Sequence, residues 1–339
     1  MWRSQITIDL AALRRNTRRL REVLGESELW AVVKADGYGH GAADAARAVL
    51  GEGAGALCVA TVGEALELRE EFVTARILVM GPTVGREVAI AREARLELAV
   101  SAPELPEGVP VHLKLDTGMG RWGLSELPGV SAGVVGLMTH LATADSDQDF
   151  AREQLRRFDE ATRGYSHLAR HAANSAAALR LPESRLDAAR CGIALYGLSP
   201  FGGDPGEDGL EPVLRWESHV AQVRRLAPGE STGYGRRFAP DEETWIGIVP
   251  VGYADGFRRD MTGTEVAIEG ERRRVVGTIS MDALAVQLPG RLPIGTPVTL
   301  IGDGVLAEEH AAVADTINYE IVCRIDSRRG RARRTVFDA

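Results

Sequence analysis

Along the first two-thirds of the chain, short apolar runs alternate with segments whose apolar residues recur at helical spacing. The runs are LWAVVKA, ALCVAT, RILVMG, LELAVS, VPVHLKLD, GVVGLMTH, SHLARHAA and RLDAARCG. Between several of them lie Ala/Glu/Arg-rich segments, GAADAARAVL, GEALELREEF, GREVAIAREA and FAREQLRRFDEA, whose periodicity predicts helices. Strands alternating with helices imply a parallel sheet. About eight such units in roughly 200 residues suit a closed (β/α)8 barrel of the TIM type; an open doubly wound sheet is the competing architecture. The N-terminal TIDLAALRRNTRRLRE reads as one amphipathic helix.

The pattern changes near residues 200–212, FGGDPGEDGLEP, a Gly/Pro/Asp-rich stretch that reads as a linker. Beyond it the chain is strand-like and turn-rich: SHVAQVRRL, TWIGIVPVGYADG, TEVAIEG, RRRVVGTIS, ALAVQL and PVTLIG, with a helical pattern only at AEEHAAVADTIN. This predicts a mainly antiparallel β domain. The expected division is a barrel over residues 1–210 and a β domain over 211–339.

Composition adds exclusions. The chain has 339 residues, 45% hydrophobic and 26% charged, with a net charge of −8. That balance argues against nucleic acid or an anionic membrane as the main partner. The basic C-terminal stretch CRIDSRRGRARR reads as a solvated tail. Cys58, Cys191 and Cys323 are odd in number, far apart and without metal-ligand spacing, which points to a reduced, cytoplasmic protein. No signal-peptide core and no membrane-length apolar run is present.

Of the 40 lysines and arginines, only Lys34 and Lys114 are lysine. Arginine serves wherever a permanent positive charge suffices, so the two lysines are candidates for chemistry that needs a deprotonable amine. Both stand where apolar runs end, as do Asp36, Tyr38, Asp116, Arg121, His140, Asn174, Ser175 and Arg190. In a barrel those C-terminal strand ends carry the active site. Phosphate-loop, HExxH and GxSxG patterns are absent. Taken singly, His140, Tyr234 and Tyr253 read more readily as packing residues than as catalysts.

Taken together, the motifs carry more. AVVKADGYGHG resembles the pyridoxal-phosphate attachment motif of the alanine racemases. The likeness continues in register through KLDTGMGRWG, THLATAD, AANSAA, RCGIALYG, STGYG, GYADG, ISMDA and INYE. The resemblance implies a barrel followed by a β domain, pyridoxal 5'-phosphate as cofactor, and interconversion of L- and D-alanine that supplies D-alanine for peptidoglycan. It implies that Lys34 binds the cofactor covalently through its amine and serves as one base, with Tyr234 as the base on the opposite face. It puts His140 beside Tyr234 and Arg190 beyond His140, with Arg190 donating to the pyridine nitrogen. Arg121 matches the arginine near the substrate carboxylate, and Lys114 a position often carbamylated in the family. Tyr38, Ser175, Gly192, Ile193 and Tyr319 match phosphate-holding positions; Met281 and Asp282 match substrate-side positions, and Tyr253 an entrance tyrosine. The same resemblance implies a homodimer whose β domain lends Tyr234, Tyr253, Met281 and Asp282 to the partner's site; the histidine spacing gives no sign of a metal.

Three departures stand out. KADGYGHG replaces the more usual KANAYGHG, Ser280 stands where many members have cysteine, and RRGRARR replaces an Arg-Val-Pro-Arg type of ending. Competing readings are a racemase of broader substrate range, a decarboxylase of the same fold type, and a non-catalytic cofactor carrier. The STGYG tyrosine argues against the decarboxylase, and the β domain with Tyr234 against the carrier.

Overall fold

A computed structural model describes residues 2–130 and 132–338. Eight parallel strands close into a barrel: β2 (Glu28–Val32), β3 (Ala56–Val59), β4 (Ile77–Val79), β5 (Glu97–Val100), β6 (Val111–Lys114), β7 (Val134–Met138), β8 (Ala169–His171) and β9 (Ala188–Cys191). Each lies inside one of the apolar runs, except that β2 starts one residue earlier, at Glu28. Closure comes from β9 pairing back onto β2, with Glu28 opposite Ala188 and Trp30 opposite Arg190. These strands are buried on both faces, β3 and β6 at every position, which is why they read as continuous runs instead of alternating ones. Helices Ala42–Gly51, Val62–Glu71, Arg86–Glu93 and Gln148–Thr162 match the periodic segments.

The N-terminal segment departs from expectation. Gln5–Asp9 is a strand, β1, and the helix begins only at Leu10 and runs to Leu24. Asp9 ends the strand and accepts the Ala12 N–H at 2.9 Å, capping the helix. β1 pairs antiparallel with β10 (Leu214–His219) and parallel with β17 (Arg333–Phe337). The arginine-rich C-terminal stretch therefore runs into a hydrogen-bonded edge strand, and the solvated-tail reading does not hold for its last two residues, Arg333 and Arg334. Charged side chains suit an edge that must not recruit further strands.

The remaining strands are β11 (Gln222–Leu226), β12 (Thr244–Val249), β13 (Glu265–Ile268), β14 (Glu271–Val276), β15 (Leu284–Leu288) and β16 (Pro297–Ile301). They join β10, β1 and β17 in a nine-stranded sheet, antiparallel in every pairing except β1 with β17. The chain divides into two compact units. The barrel unit spans Leu13–Phe201 and Gly206–Glu211, and the β unit takes the segment up to Ala12, Gly202–Pro205 and Pro212 onward. A single cut at 210/211 misses the N-terminal strand, because β1 finds its hydrogen-bonding partners only in the β unit.

Candidate active site

Lys34 follows β2 by two residues and opens an unusual turn. Ala35, Asp36, Gly37 and Tyr38 all have positive φ, 52°, 51°, 61° and 55°. A left-handed turn costs L-residues roughly 1–2 kcal/mol each, so something must hold it. Glu64 accepts the Ala35 N–H at 2.7 Å and also the N–H groups of Ala60 and Thr61. Asp36 accepts the Ala42 N–H at 2.8 Å, and the His40 ring contacts the carbonyls of Gly37 and Tyr38. Gly37 relieves one of the strained positions. Asp36 thus acts as a cap and turn-former.

Tyr38 packs on Tyr196 with ring centroids 5.2 Å apart, and a Cβ on Gly192 would meet the Tyr38 hydroxyl at 2.4 Å. The Ser175 hydroxyl accepts from the N–H groups of Gly192 (3.0 Å) and Ala194 (3.4 Å). Gly192 precedes the short 3-10 helix Ile193–Tyr196. Two hydroxyls and a turn of backbone donors therefore converge beyond β9, an arrangement suited to an anion. Asn174 caps the helix Ser175–Arg180 by accepting from Ala177 N–H.

Arg190, on β9, is buried, and no ion pair among the described residues includes it. Its Nη1 donates to His171 Nδ1 (2.7 Å) and the His171 carbonyl (2.9 Å). Its Nη2 donates to the carbonyls of Thr139 (2.7 Å) and Ala172 (3.2 Å), with His140 Nδ1 at 3.5 Å. Burial lowers its pKa to about 10, which leaves it a cation at neutral pH. His171 is thus a closer imidazole partner than His140. Both Nη groups are committed within the barrel.

His140 is half-buried, and burial together with the charges of Arg190, Lys114, Arg121 and Lys34 pushes its pKa down to about 3. It is neutral under ordinary conditions. Lys114 ends β6 and is buried; burial and the repulsion of Arg190 and Arg121 lower its pKa to about 8. Its Nζ and the Arg121 guanidinium both lie over the Trp122 ring, 5.4 Å and 5.2 Å from its centroid. Asp116 accepts the N–H groups of Gly118, Met119 and Gly120, folding the loop that carries Arg121. Gly123, at φ +151°, allows that loop's return, since a Cβ there would meet the Asp116 backbone nitrogen at 2.4 Å.

The β unit holds the other residues of interest. Tyr234 is 71% exposed, on the turn Tyr234–Arg236, and its carbonyl accepts from the Thr278 hydroxyl at 2.7 Å. Tyr253 N–H donates to the Ser280 carbonyl, and Ala254 N–H to the Met281 carbonyl, both at 3.0 Å. Tyr253 and Met281 are exposed. Asp282 pairs with Arg331 at 2.7 Å, and Arg3 reaches both Asp282 and the buried Asp255. Tyr319 lies in the helix Asn318–Cys323. The Ser280 hydroxyl bonds to the Ala283 carbonyl at 2.8 Å, a local turn contact.

Sequence reasoning missed Glu64, His112, His171 and Glu97. A Thr61-x-x-Glu64 capping box signals the first. No local signal marks the others. Among the described residues no helix is long and apolar enough to cross a membrane, and no side-chain cluster has the makings of a metal site.

Comparison with known proteins matches residues 8–200 to the family model of the alanine racemase N-terminal domain and residues 213–333 to that of the C-terminal domain. Alanine racemase 1 of Bacillus subtilis is 39% identical over 95% of this chain and 90% of its own length. The alanine racemase of Geobacillus stearothermophilus is 38% identical over 95% and 91%. The solved alanine racemase of Streptomyces coelicolor A3(2) superposes with a TM-score of 0.91 at 39% identity, covering 98% of this chain and 97% of that one.

Proposed function

The chain belongs to the alanine racemase family and is a racemase-type isomerase, and from that premise we propose that it interconverts L- and D-alanine with pyridoxal 5'-phosphate, supplying D-alanine for peptidoglycan. The observation that carries this reading is the company of Lys34: it leads off β2, the strand paired with β9, which bears Arg190 and leads to the Gly192 turn. The donor set fits the cofactor. The hydroxyls of Tyr38 and Ser175 and the backbone at Gly192 and Ile193 suit its phosphate, and Tyr319 matches a further phosphate-holding position. When bound, the cofactor supplies a carbonyl for the substrate amine and a ring that draws electrons from Cα.

The chain's own groups then do the proton work. The Lys34 amine moves a proton at one face of Cα and the Tyr234 phenol at the other, because one base alone returns the proton to the face it left. A phenol is a weak base at neutral pH; His140, held neutral by burial and surrounding cations, is the acceptor that lets it act. Arg190 would hold the cofactor's ring nitrogen through its Nε–H and would keep it unprotonated, which would favour return of the proton to Cα. Arg121 orients the substrate carboxylate. A carbamate on Lys114 gives the cluster of Arg121, Arg190 and Lys34 an anion, and an amine with a pKa of about 8 is nucleophilic enough to take up CO₂. Met281, Asp282 and Tyr253 shape the substrate side. Exposed Tyr234 and Tyr253 suit residues lent to a second subunit of a homodimer.

The test is chiral analysis of the purified protein fed L-alanine and, separately, other L-amino acids, with borohydride reduction of the loaded protein. Racemised alanine and cofactor fixed to the Lys34 peptide support the reading. Label on Lys114, or no racemisation of alanine, defeats it. Comparable rates on several amino acids favour the broader racemase.

A further inference from the structure

The barrel interior holds a polar chain that the proposed chemistry does not use. Arg190 donates to His171 Nδ1 at 2.7 Å. His171 Nε2 lies 2.9 Å from His112 Nδ1, and His112 Nε2 lies 2.9 Å from Glu97 Oε2. Glu97 is also held by Arg76, whose Nε reaches Oε1 at 2.9 Å and Nη2 reaches Oε2 at 3.1 Å. Glu97 is the first residue of β5, at the N-terminal mouth of the barrel, and His171 is the last of β8. The chain therefore crosses the interior from one mouth toward the other.

The surroundings are built around it. His112 and His171 come from β6 and β8, with β7 between them. There Gly136 pairs with His112, and a Cβ on Gly136 would meet His112 Nδ1 at 2.2 Å. The Trp30 ring walls both imidazoles, 5.6 Å and 4.5 Å between centroids, and Arg76 lies over its other neighbourhood at 4.9 Å.

Donor counting makes the chain directional. A guanidinium can only donate, so His171 Nδ1 accepts and its proton is on Nε2. That proton points to His112 Nδ1, so His112 carries its own on Nε2 and gives it to Glu97, which as a carboxylate can only accept. Burial lowers the pKa of both imidazoles, His171 most strongly, so each has one donor and one acceptor. A buried cation with no carboxylate beside it thus faces a carboxylate at the far end of two aligned imidazole dipoles.

We propose that Glu97, acting through His112 and His171, is a positioning residue for Arg190: it anchors the imidazole relay and supplies, from the opposite mouth of the barrel, the negative charge that steadies the guanidinium. Its bearing on catalysis rests on the reading that Arg190 faces the cofactor ring. Loss of the Glu97 charge leaves Arg190 more strongly positive without touching substrate or cofactor.

The test uses the full chain as purified, with its cofactor, and nitrogen-detected NMR of the imidazoles. In the unaltered protein His112 and His171 should both be Nε2–H tautomers. In Glu97→Gln the His171 Nε2–H proton should move upfield along with that of His112, although His171 does not touch residue 97. Arg76→Met, which leaves the carboxylate in place, should keep the His171 signal downfield. With the first variant kcat should fall about tenfold, the kinetic equivalent of one pKa unit at the ring nitrogen, with KM for alanine unchanged. The opposite tautomer in the unaltered protein, or a His171 signal indifferent to Glu97→Gln, overturns the relay. If the relay signals behave as expected but Lys34 takes no label on borohydride reduction, it is the cofactor reading that has failed.

Discussion

Arg190 and Tyr234 stand at opposite extremes of constraint. The guanidinium is buried in the barrel, and three carbonyls and an imidazole within 3.2 Å fix its orientation. The phenol projects from a surface turn, 71% exposed, with its neighbourhood secured through a backbone carbonyl. The barrel's chemistry is pre-organised by the fold that surrounds it, so it cannot be altered without disturbing that fold. The β unit presents Tyr234, Tyr253 and Met281 on exposed turns and loops. Stability and activity should therefore be coupled on the barrel side and separable on the β side.

The sharpest separation is at the two proposed bases. Tyr234→Phe should lower racemisation by about 10²–10⁴-fold, the usual worth of a proton-transfer group, while the melting temperature stays where it was. Lys34→Ala should be as inactive and lose the covalent cofactor. Mixing the two variants under conditions of subunit exchange should return activity, since one site of each mixed dimer then holds both native groups. Exchange without recovered activity means both groups come from one chain.

Arg190→Glu joins the two properties. A carboxylate set against the carbonyls of Thr139, His171 and Ala172 should cost about 3–5 kcal/mol and lower the melting temperature by several degrees. Racemisation should slow, and the ratio of pyruvate formed to alanine racemised should rise, because the ring nitrogen can then hold a proton. A variant of unchanged melting temperature and ratio breaks the contrast between the two regions.

A smaller effect should appear on the acid side. Burial works against the Glu97 carboxylate, but hydrogen bonds from His112 and Arg76 outweigh it and hold the pKa at about 2, below the ordinary 4.5. A depressed carboxylate stabilises above its unfolded value and loses that contribution as pH falls through the folded one. Denaturant melts should find Glu97→Gln less stable by on the order of 3 kcal/mol at pH 7. The gap should narrow as pH drops from 4.5 toward 2. A gap that is constant with pH puts the loss on packing alone.

The barrel was legible because each of its strands is buried on both faces and stands out as an unbroken apolar run between helical periodicities. β1 was not: QITID shows only a five-residue alternation, merges into the helix that follows, and owes its conformation to partners at Leu214–Glu217 and Arg333–Phe337. RRTVF hid for the opposite reason, since the charges that protect an edge strand resemble those of a solvated tail. Lys34, Ser175 and Arg190 stand out in the sequence through the motifs that hold them. His112, His171 and Glu97 do not, because an isolated buried histidine looks the same whether it fills space or conducts a hydrogen bond. Only closure of β5, β6, β8 and β9 into one barrel brings the three within 3 Å of their neighbours.

The placement of β1 also imposes an order of events during synthesis. Gln5–Asp9 precedes the barrel in the chain, yet one neighbour of that strand, β10, emerges about two hundred residues later, and the other, β17, lies at Arg333–Phe337. Barrel strands from β2 to β9 pair with sequence neighbours apart from the closing pair, so they can assemble while translation continues. Until β10 is made that strand has neither edge satisfied, and until β17 is made it still has one open. Such long-range pairing slows folding and leaves an exposed template for mispairing. β1 thus waits through synthesis of the whole barrel for the first strand that pairs with it, and longer for the second.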